Sequence, residues 1–141
     1  MKLVDQSIVD ENSGDCFRAA IASLFELELS QVPHFRLFAD DKWFAVFWYY
    51  LLALGWEYIG WGTSIQNDIA EHTINGYVCA RVTSKTFPDR IHSVIIDVNG
   101  TVVHDPNPNK LYQGINVIES GELQGWYMIA PKDGKELQVD A

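Results

Sequence analysis

The sequence predicts an α+β domain, with helices in its first half packed on an antiparallel β-sheet built from its second half. Three observations carry this expectation. Apolar residues recur at helical spacing as far as about residue 54, and in short strand-like runs after it. Pro88, Asn99-Gly100 and Pro106-Asn107-Pro108 punctuate the second half as turns. The 141 residues, 48% hydrophobic and 21% charged, suit one core and exclude a disordered chain, which would lack the apolar surface to offset its ordering entropy. A domain over residues 1–131 and a polar tail over 132–141 that frays are therefore expected.

The elements follow in order. Asp15, after Ser13-Gly14, is placed to cap a helix opening at Cys16, because a carboxylate accepts the orphan N–H groups of a first turn. Phe17, Ala20, Ile21, Leu24 and Phe25 then repeat at helical spacing. Ser30 to Val32 predicts one short turn stopped at Pro33. A second helix is expected from about Asp41 to Leu54, with Gly55 as its C-cap. It is apolar almost all round, which predicts burial, and the aromatic cluster Trp43, Trp48, Tyr49 and Tyr50 is read as core packing. Strands are expected over Trp56–Gly60, Gly76–Val82, Arg90–Val98, Thr101–Asp105, Ile115–Ile118 and Trp126–Ala130.

Charge and cysteine content narrow the function classes. Ten Lys and Arg against 19 Asp and Glu give a net charge of −9, and no basic run occurs. Nucleic acid and anionic membrane are not expected partners, since both need clustered cations. The most apolar run, Trp43 to Leu54, is shorter than the roughly 18–20 residues that span a bilayer. The N-terminus, Met1 to Asp5, lacks the apolar stretch of a signal peptide. The two cysteines, Cys16 and Cys79, are expected as free thiols of a reducing compartment, the cytoplasm. No paired short spacing of His and Cys suggests a metal, and no cofactor is expected.

Asn99-Gly100 between apolar runs predicts a hairpin with a two-residue type I′ turn, and such a turn fixes register. Val98 would pair with Thr101, Ile96 with Val103, Val94 with Asp105 and His92 with Asn107. His92 and Asp105 then become diagonal neighbours on one face, within reach of each other, while His104 faces Ile95 and points to the other side. A carboxylate on one imidazole nitrogen fixes the tautomer and stabilises the imidazolium, leaving the other nitrogen to exchange a proton with a nucleophile. Asn107 is a second candidate for the orienting role, because Pro106 ends the strand and frees it from the ladder.

Cys16 offers a matching nucleophile, although a lone cysteine at a helix start also reads as a small buried residue, and Gln6 as a surface polar one. At a helix start the dipole and free N–H groups favour the thiolate, and the Cys16 N–H faces where an oxyanion would form. Gln6, ten residues earlier, offers a second donor from its amide. Cys79 sits in the strand pattern Tyr77-Val78-Cys79-Ala80 and is read as an inert core thiol.

Gln6, then Gly14-Asp15-Cys16-Phe17-Arg18-Ala19-Ala20, then His92 before an apolar strand, then Asp105-Pro106, follow an order that resembles the papain-like cysteine peptidases, specifically the bacteriocin-processing branch. The segment Cys16 to Phe35, with Val32-Pro33 near its end, and His104-Asp105-Pro106-Asn107-Pro108 also look like small bacterial and phage proteins of papain-like type. The resemblance covers residues 5–108 by anchors, without a match between Ala39 and Arg90. It implies Cys16 as nucleophile, His92 as general base and acid, Asp105 as its orienter and Gln6 as oxyanion donor. It also implies a peptide, protein or other amide-containing substrate, and a bacterial or phage-encoded source. Phe17 stands where the bacteriocin-processing branch usually carries Gly, and the Gln6–Cys16 spacing is longer than usual there, which leaves the substrate open.

The remaining histidines are assigned plainer roles. His34 is read as a helix-end loop residue, and His72, after Glu71, as part of a polar loop. Trp56, Tyr58 and Trp61 could rim a pocket, and Trp126 has no assigned role. The rival expectation is a non-catalytic acidic interaction or inhibitor protein on the same fold.

Overall fold

The computed structural model describes residues 1–10, 14–38, 42–63 and 72–132. The expected helix start at Asp41, the Ser13 and Glu71 positions and the tail over 133–141 lie outside the described residues. Lys132, expected in that tail, is tied to the fold by its N–H, which donates to Gly55 O at 3.0 Å.

The architecture is α+β, with two α-helices and a five-stranded antiparallel sheet. Helix α1 spans Cys16–Leu24 and helix α2 Lys42–Ala53, with short 3-10 turns at Leu29–Gln31 and Phe35–Leu37 between them. Strands β1 (Trp56–Gly62), β2 (Tyr77–Thr83), β3 (Ile91–Asp97), β4 (Val102–His104) and β5 (Leu123–Pro131) lie in the order β1-β5-β2-β3-β4.

The alternation of side chains along the strands divides the core in two. Cys79, Ile95, Tyr127 and Ile129 face the helices and pack against Phe17, Ile21, Phe47 and Leu51. Val78, Ala80, Val94, Ile96 and Trp126 face the other way, where Tyr112 and Val117 from the loop between β4 and β5 cover them. Trp126 is thus a buried core residue of the loop-covered face.

Four local expectations are corrected. Asp15 stands at the N-cap position of α1, but its side chain does not cap the helix. Its carboxylate instead accepts from Ser7 N at 2.9 Å, Ser7 Oγ at 2.8 Å and Ile8 N at 2.8 Å, because the N-terminal segment runs alongside the helix start. Of α2, only Phe47 and Leu51 are buried, while Trp48 is 44% and Tyr49 73% exposed. One sheet face meets one face of that helix, where Trp43 and Tyr50 pack against the core as expected, while at its outer side Trp48 meets Phe44 of its own helix and Tyr49 points outward. Ile115–Ile118 forms no strand, only a bridge between Asn116 and Thr101. Asn116 Oδ1 accepts from the N–H groups of Ile118 and Glu119 and bends the chain away at once.

The hairpin between β3 and β4 is the fourth correction. Asp97 N donates to Thr101 O at 3.0 Å, so the loop holds three residues, Val98, Asn99 and Gly100, and only Gly100 has positive φ, at 91°. This is a glycine-terminated three-residue loop rather than a type I′ turn. It shifts the pairing near the turn, giving Ile96 opposite Val102. A β-bulge follows at once and restores Ile95 opposite His104, as the sequence predicts. Beyond the bulge, Asp105 therefore arrives on the side of the sheet that the simple register gave it.

Candidate active site

The N-terminal segment is laid over α1 by contacts distant in sequence. Val4 N donates to Ser23 Oγ at 2.9 Å, and Val4 O accepts from His104 Nε2 at 2.7 Å. Gln6 N donates to Pro106 O at 2.9 Å, and Ser7 and Ile8 are held by Asp15 as described. Gln6 is thereby buried beside the start of α1, where it lines a cleft with Cys16, His92 and Asn107. Its Nε2 donates to Ile8 O at 2.8 Å, leaving one N–H for another acceptor.

His92 stands near the start of β3, opposite Val82 of β2. Its Nε2 lies 2.6 Å from Asp105 Oδ1. Asp105 is fully buried, and its carboxylate also accepts Asn107 N at 3.0 Å and Tyr112 N at 2.9 Å. Asn107 thus assists Asp105 through its backbone rather than replacing it. Its side chain turns to Thr86 and to the Asn109 N–H.

With Nε2 engaged by Asp105, Nδ1 is the ring nitrogen left for another partner, and His92 and the Cys16 thiol line the same cleft and shift one another. The electrostatics of the three groups follow from this chain of contacts. Burial raises the Cys16 thiol, but the hydrogen bond and charge of His92, together with the backbone and hydroxyl of Ser93, outweigh it and bring the thiol below its ordinary value. Burial opposes the charged form of His92 as well. Asp105 and Cys16 overcome this and push the imidazole up to about 9. Asp105 ends below the usual carboxylate value because His92 and the Tyr112 and Asn107 N–H groups outweigh its burial. The shifts favour a thiolate on Cys16 and a proton on His92 together, backed by the ionised Asp105.

Cys79 behaves oppositely. It is fully buried on the helix-facing side of β2, and burial, helped by the charge of Cys16, pushes its thiol far up. Both cysteines are free.

Two contributors lack a sequence signal. Tyr112 stacks on His92 with ring centroids 6.4 Å apart and planes at 25°, while its N–H holds Asp105. It lies in the covering loop, seven residues past Asp105, and no strand periodicity points to it. Ser93 reaches Cys16 from the strand position after His92, which only the docking of α1 reveals. Phe17 fills its position as the hub of an aromatic cluster, with centroids 5.4 Å from Phe35, 6.0 Å from Trp43, 5.0 Å from Phe47 and 5.1 Å from Tyr127.

The other candidates stand apart from this cleft. His104 is buried on the opposite side, and burial lowers its imidazole. His34 precedes the second 3-10 turn, and the His72 ring lies 6.5 Å from that of Trp126. Among the described residues no group of three or more His, Cys, Asp or Glu could hold a metal ion, and no helix is long and apolar enough to cross a membrane. Comparison of the chain with family models, curated proteins and solved structures gives no match.

Proposed function

We propose that the chain is a papain-like thiol hydrolase that acts on an amide or peptide bond through Cys16, His92 and Asp105. The observation that carries this reading is the coupled pair of opposite shifts. A thiol at a helix N-terminus is lowered and the imidazole beside it is raised, inside an open cleft. A packing cysteine does not need such a partner, as Cys79 illustrates.

The chemistry then runs in two halves. The Cys16 thiolate attacks the carbonyl carbon, and the new oxyanion is received by the Cys16 N–H and the remaining Gln6 Nε2–H. The His92 imidazolium gives its Nδ1 proton to the departing amine, and a thioester remains on Cys16. Neutral His92 takes a proton from water, the resulting hydroxide attacks the thioester, and the sulfur leaves as thiolate. Asp105 stays ionised throughout and stabilises the imidazolium. Deamidation, isopeptide cleavage and transfer to an amine use the same groups. The papain-like fold, a peptide or other amide-containing substrate rather than nucleic acid or membrane, and a cytoplasmic, bacterial or phage-encoded setting belong to the same proposal.

Iodoacetamide in small excess tests it. Cys16 should be alkylated well before Cys79 in the native protein, and His92→Ala should abolish the preference. Equal labelling of both thiols in the native protein overturns the reading. A biological activity that survives Cys16→Ser would favour the rival role as an acidic binding protein.

A further inference from the structure

The cleft runs against the charge of the molecule. The protein carries a net −9, yet three of its four arginines, Arg36, Arg81 and Arg90, line the cleft that holds Cys16. Asp10 is the one carboxylate among the described lining residues. Neither Arg36 nor Arg81 has a carboxylate within salt-bridge distance among the described residues. Each guanidinium is instead laid over a tryptophan, Arg36 over Trp43 at 5.2 Å and Arg81 over Trp61 at 5.4 Å.

The Arg81 arrangement is built by the sheet. Arg81 on β2 pairs with Ser93 on β3, the residue that reaches Cys16, and with Gly125 on β5. Trp61 comes from β1, on the far side of β5, and its indole crosses over Gly125. A Cβ at position 125 would lie 2.2 Å from that indole, so the missing side chain is what lets Trp61 reach Arg81. Arg36 approaches from the second 3-10 turn. Both arginines line the same cleft as Tyr127, whose phenol stays neutral because burial raises it.

Stacking determines what such an arginine can bind. An arginine held over an aromatic ring keeps in-plane N–H donors at the edge of its guanidinium for a further partner. A planar edge of parallel donors matches a carboxylate in bidentate fashion. We infer that the cleft selects an acyl substrate bearing a carboxylate, held by Arg36 and Arg81 beside Tyr127 while the scissile carbonyl meets Cys16. This rests on the thiol-hydrolase reading and adds a substrate class to it: acidic side chains or free C-terminal carboxylates near the bond that is cleaved.

Two measurements test it. The first compares anionic iodoacetate with neutral iodoacetamide at Cys16. Relative to N-acetylcysteine amide in solution, the iodoacetate-to-iodoacetamide rate ratio should rise about tenfold, although the whole protein is anionic. Arg36→Gln and Arg81→Gln should each lower the iodoacetate rate more than the iodoacetamide rate. The second uses the Cys16→Ser protein and tryptophan fluorescence, so it needs no reactive thiol. N-acetylglutamate α-amide carries only a side-chain carboxylate, N-acetylalanine only a terminal one, and N-acetylglutamine amide neither. At least one of the first two should bind and the third should not, with binding lost in Arg36→Gln/Arg81→Gln, and the tighter ligand identifies the source of the carboxylate. Absence of carboxylate-dependent binding, or a rate ratio indifferent to both arginines, overturns the inference. If iodoacetamide still prefers Cys16 over Cys79, the hydrolase reading survives that failure.

Discussion

His92 sits between two acids and is charged because of both. Removing Asp105 should therefore affect the sulfur two steps away. Asp105→Asn withdraws the charge and keeps one oxygen, which can serve His92 and the Asn107 N–H as Oδ1 does while the Tyr112 N–H, held by Oδ2, loses its acceptor, so His92 falls back from about 9 and Cys16 loses part of its stabilisation. Turnover should fall on the order of 10²–10⁴-fold, measured on any cleaved amide. The pH profile follows from the same shifts. On the proposed mechanism, activity requires the thiolate and the imidazolium together. It should rise as pH passes the lowered Cys16 value and decline through about 9 as His92 loses its proton, and Asp105→Asn should move that alkaline limb to lower pH. A limb unmoved by the substitution would separate Asp105 from the proton balance of His92. The three residues are legible in the sequence because a hairpin pairs near neighbours and a helix start marks its own first residue. Ser93 and Arg81, which line the cleft, and Tyr112, which backs His92 and Asp105, are not, since each joins the site through a contact with a different part of the chain.

At the scale of elements, the hairpin shows how a wrong local geometry can give a right juxtaposition. The Asn99-Gly100 signal names the turn site, but the loop takes three residues, and the offset is cancelled by the bulge between β3 and β4. Sequence alternation cannot reveal a compensated pair of shifts, because the periods before and after agree. Gly100 is the fixed point of this loop. Its φ is 91°, and a Cβ there would lie 2.3 Å from Ile118 Cδ1. Gly100→Val should lower stability by about 1–3 kcal/mol, read as a drop in Tm. Periodicity places both helices to within about a residue or two of their ends, whereas it overstates the burial of α2. Apolar composition says that a helix has a face to bury, and only the number of layers in the fold says how many faces find a partner.

For the whole molecule, the charge pair links stability to pH. The His92 imidazole is raised above its unfolded value of 6.5, so its contribution is complete below that pH and is lost as pH climbs through about 9. The Cys16 thiol is lowered from 9.0, so its contribution is complete above that value and is lost as pH falls through the folded one. Between the lowered Cys16 value and about 9 the two slopes oppose each other, so their sum levels off instead of falling. Thermal unfolding should therefore change little with pH across that window in the native protein, whereas Cys16→Ala leaves the His92 contribution, held up by Asp105, to decline alone as pH rises toward 9. A native curve that declines as steeply as that of the variant would contradict the charged pair.

The N-terminal strap has a kinetic side. Val4 meets His104 across 100 residues, and Gln6 meets Pro106 at similar range. Contacts of such separation carry the largest loop-closure cost and form late in folding. The meeting of Cys16 with His92, 76 residues apart, carries a closure cost of the same order. Once α1 lies on β3, the strap is only about ten residues from Cys16, and its docking becomes a short-range step. On the proposed mechanism, nucleophile, base and the Gln6 amide would therefore assemble in one closure, and a newly made chain would hold no long-lived form in which the thiolate stands without its oxyanion donor.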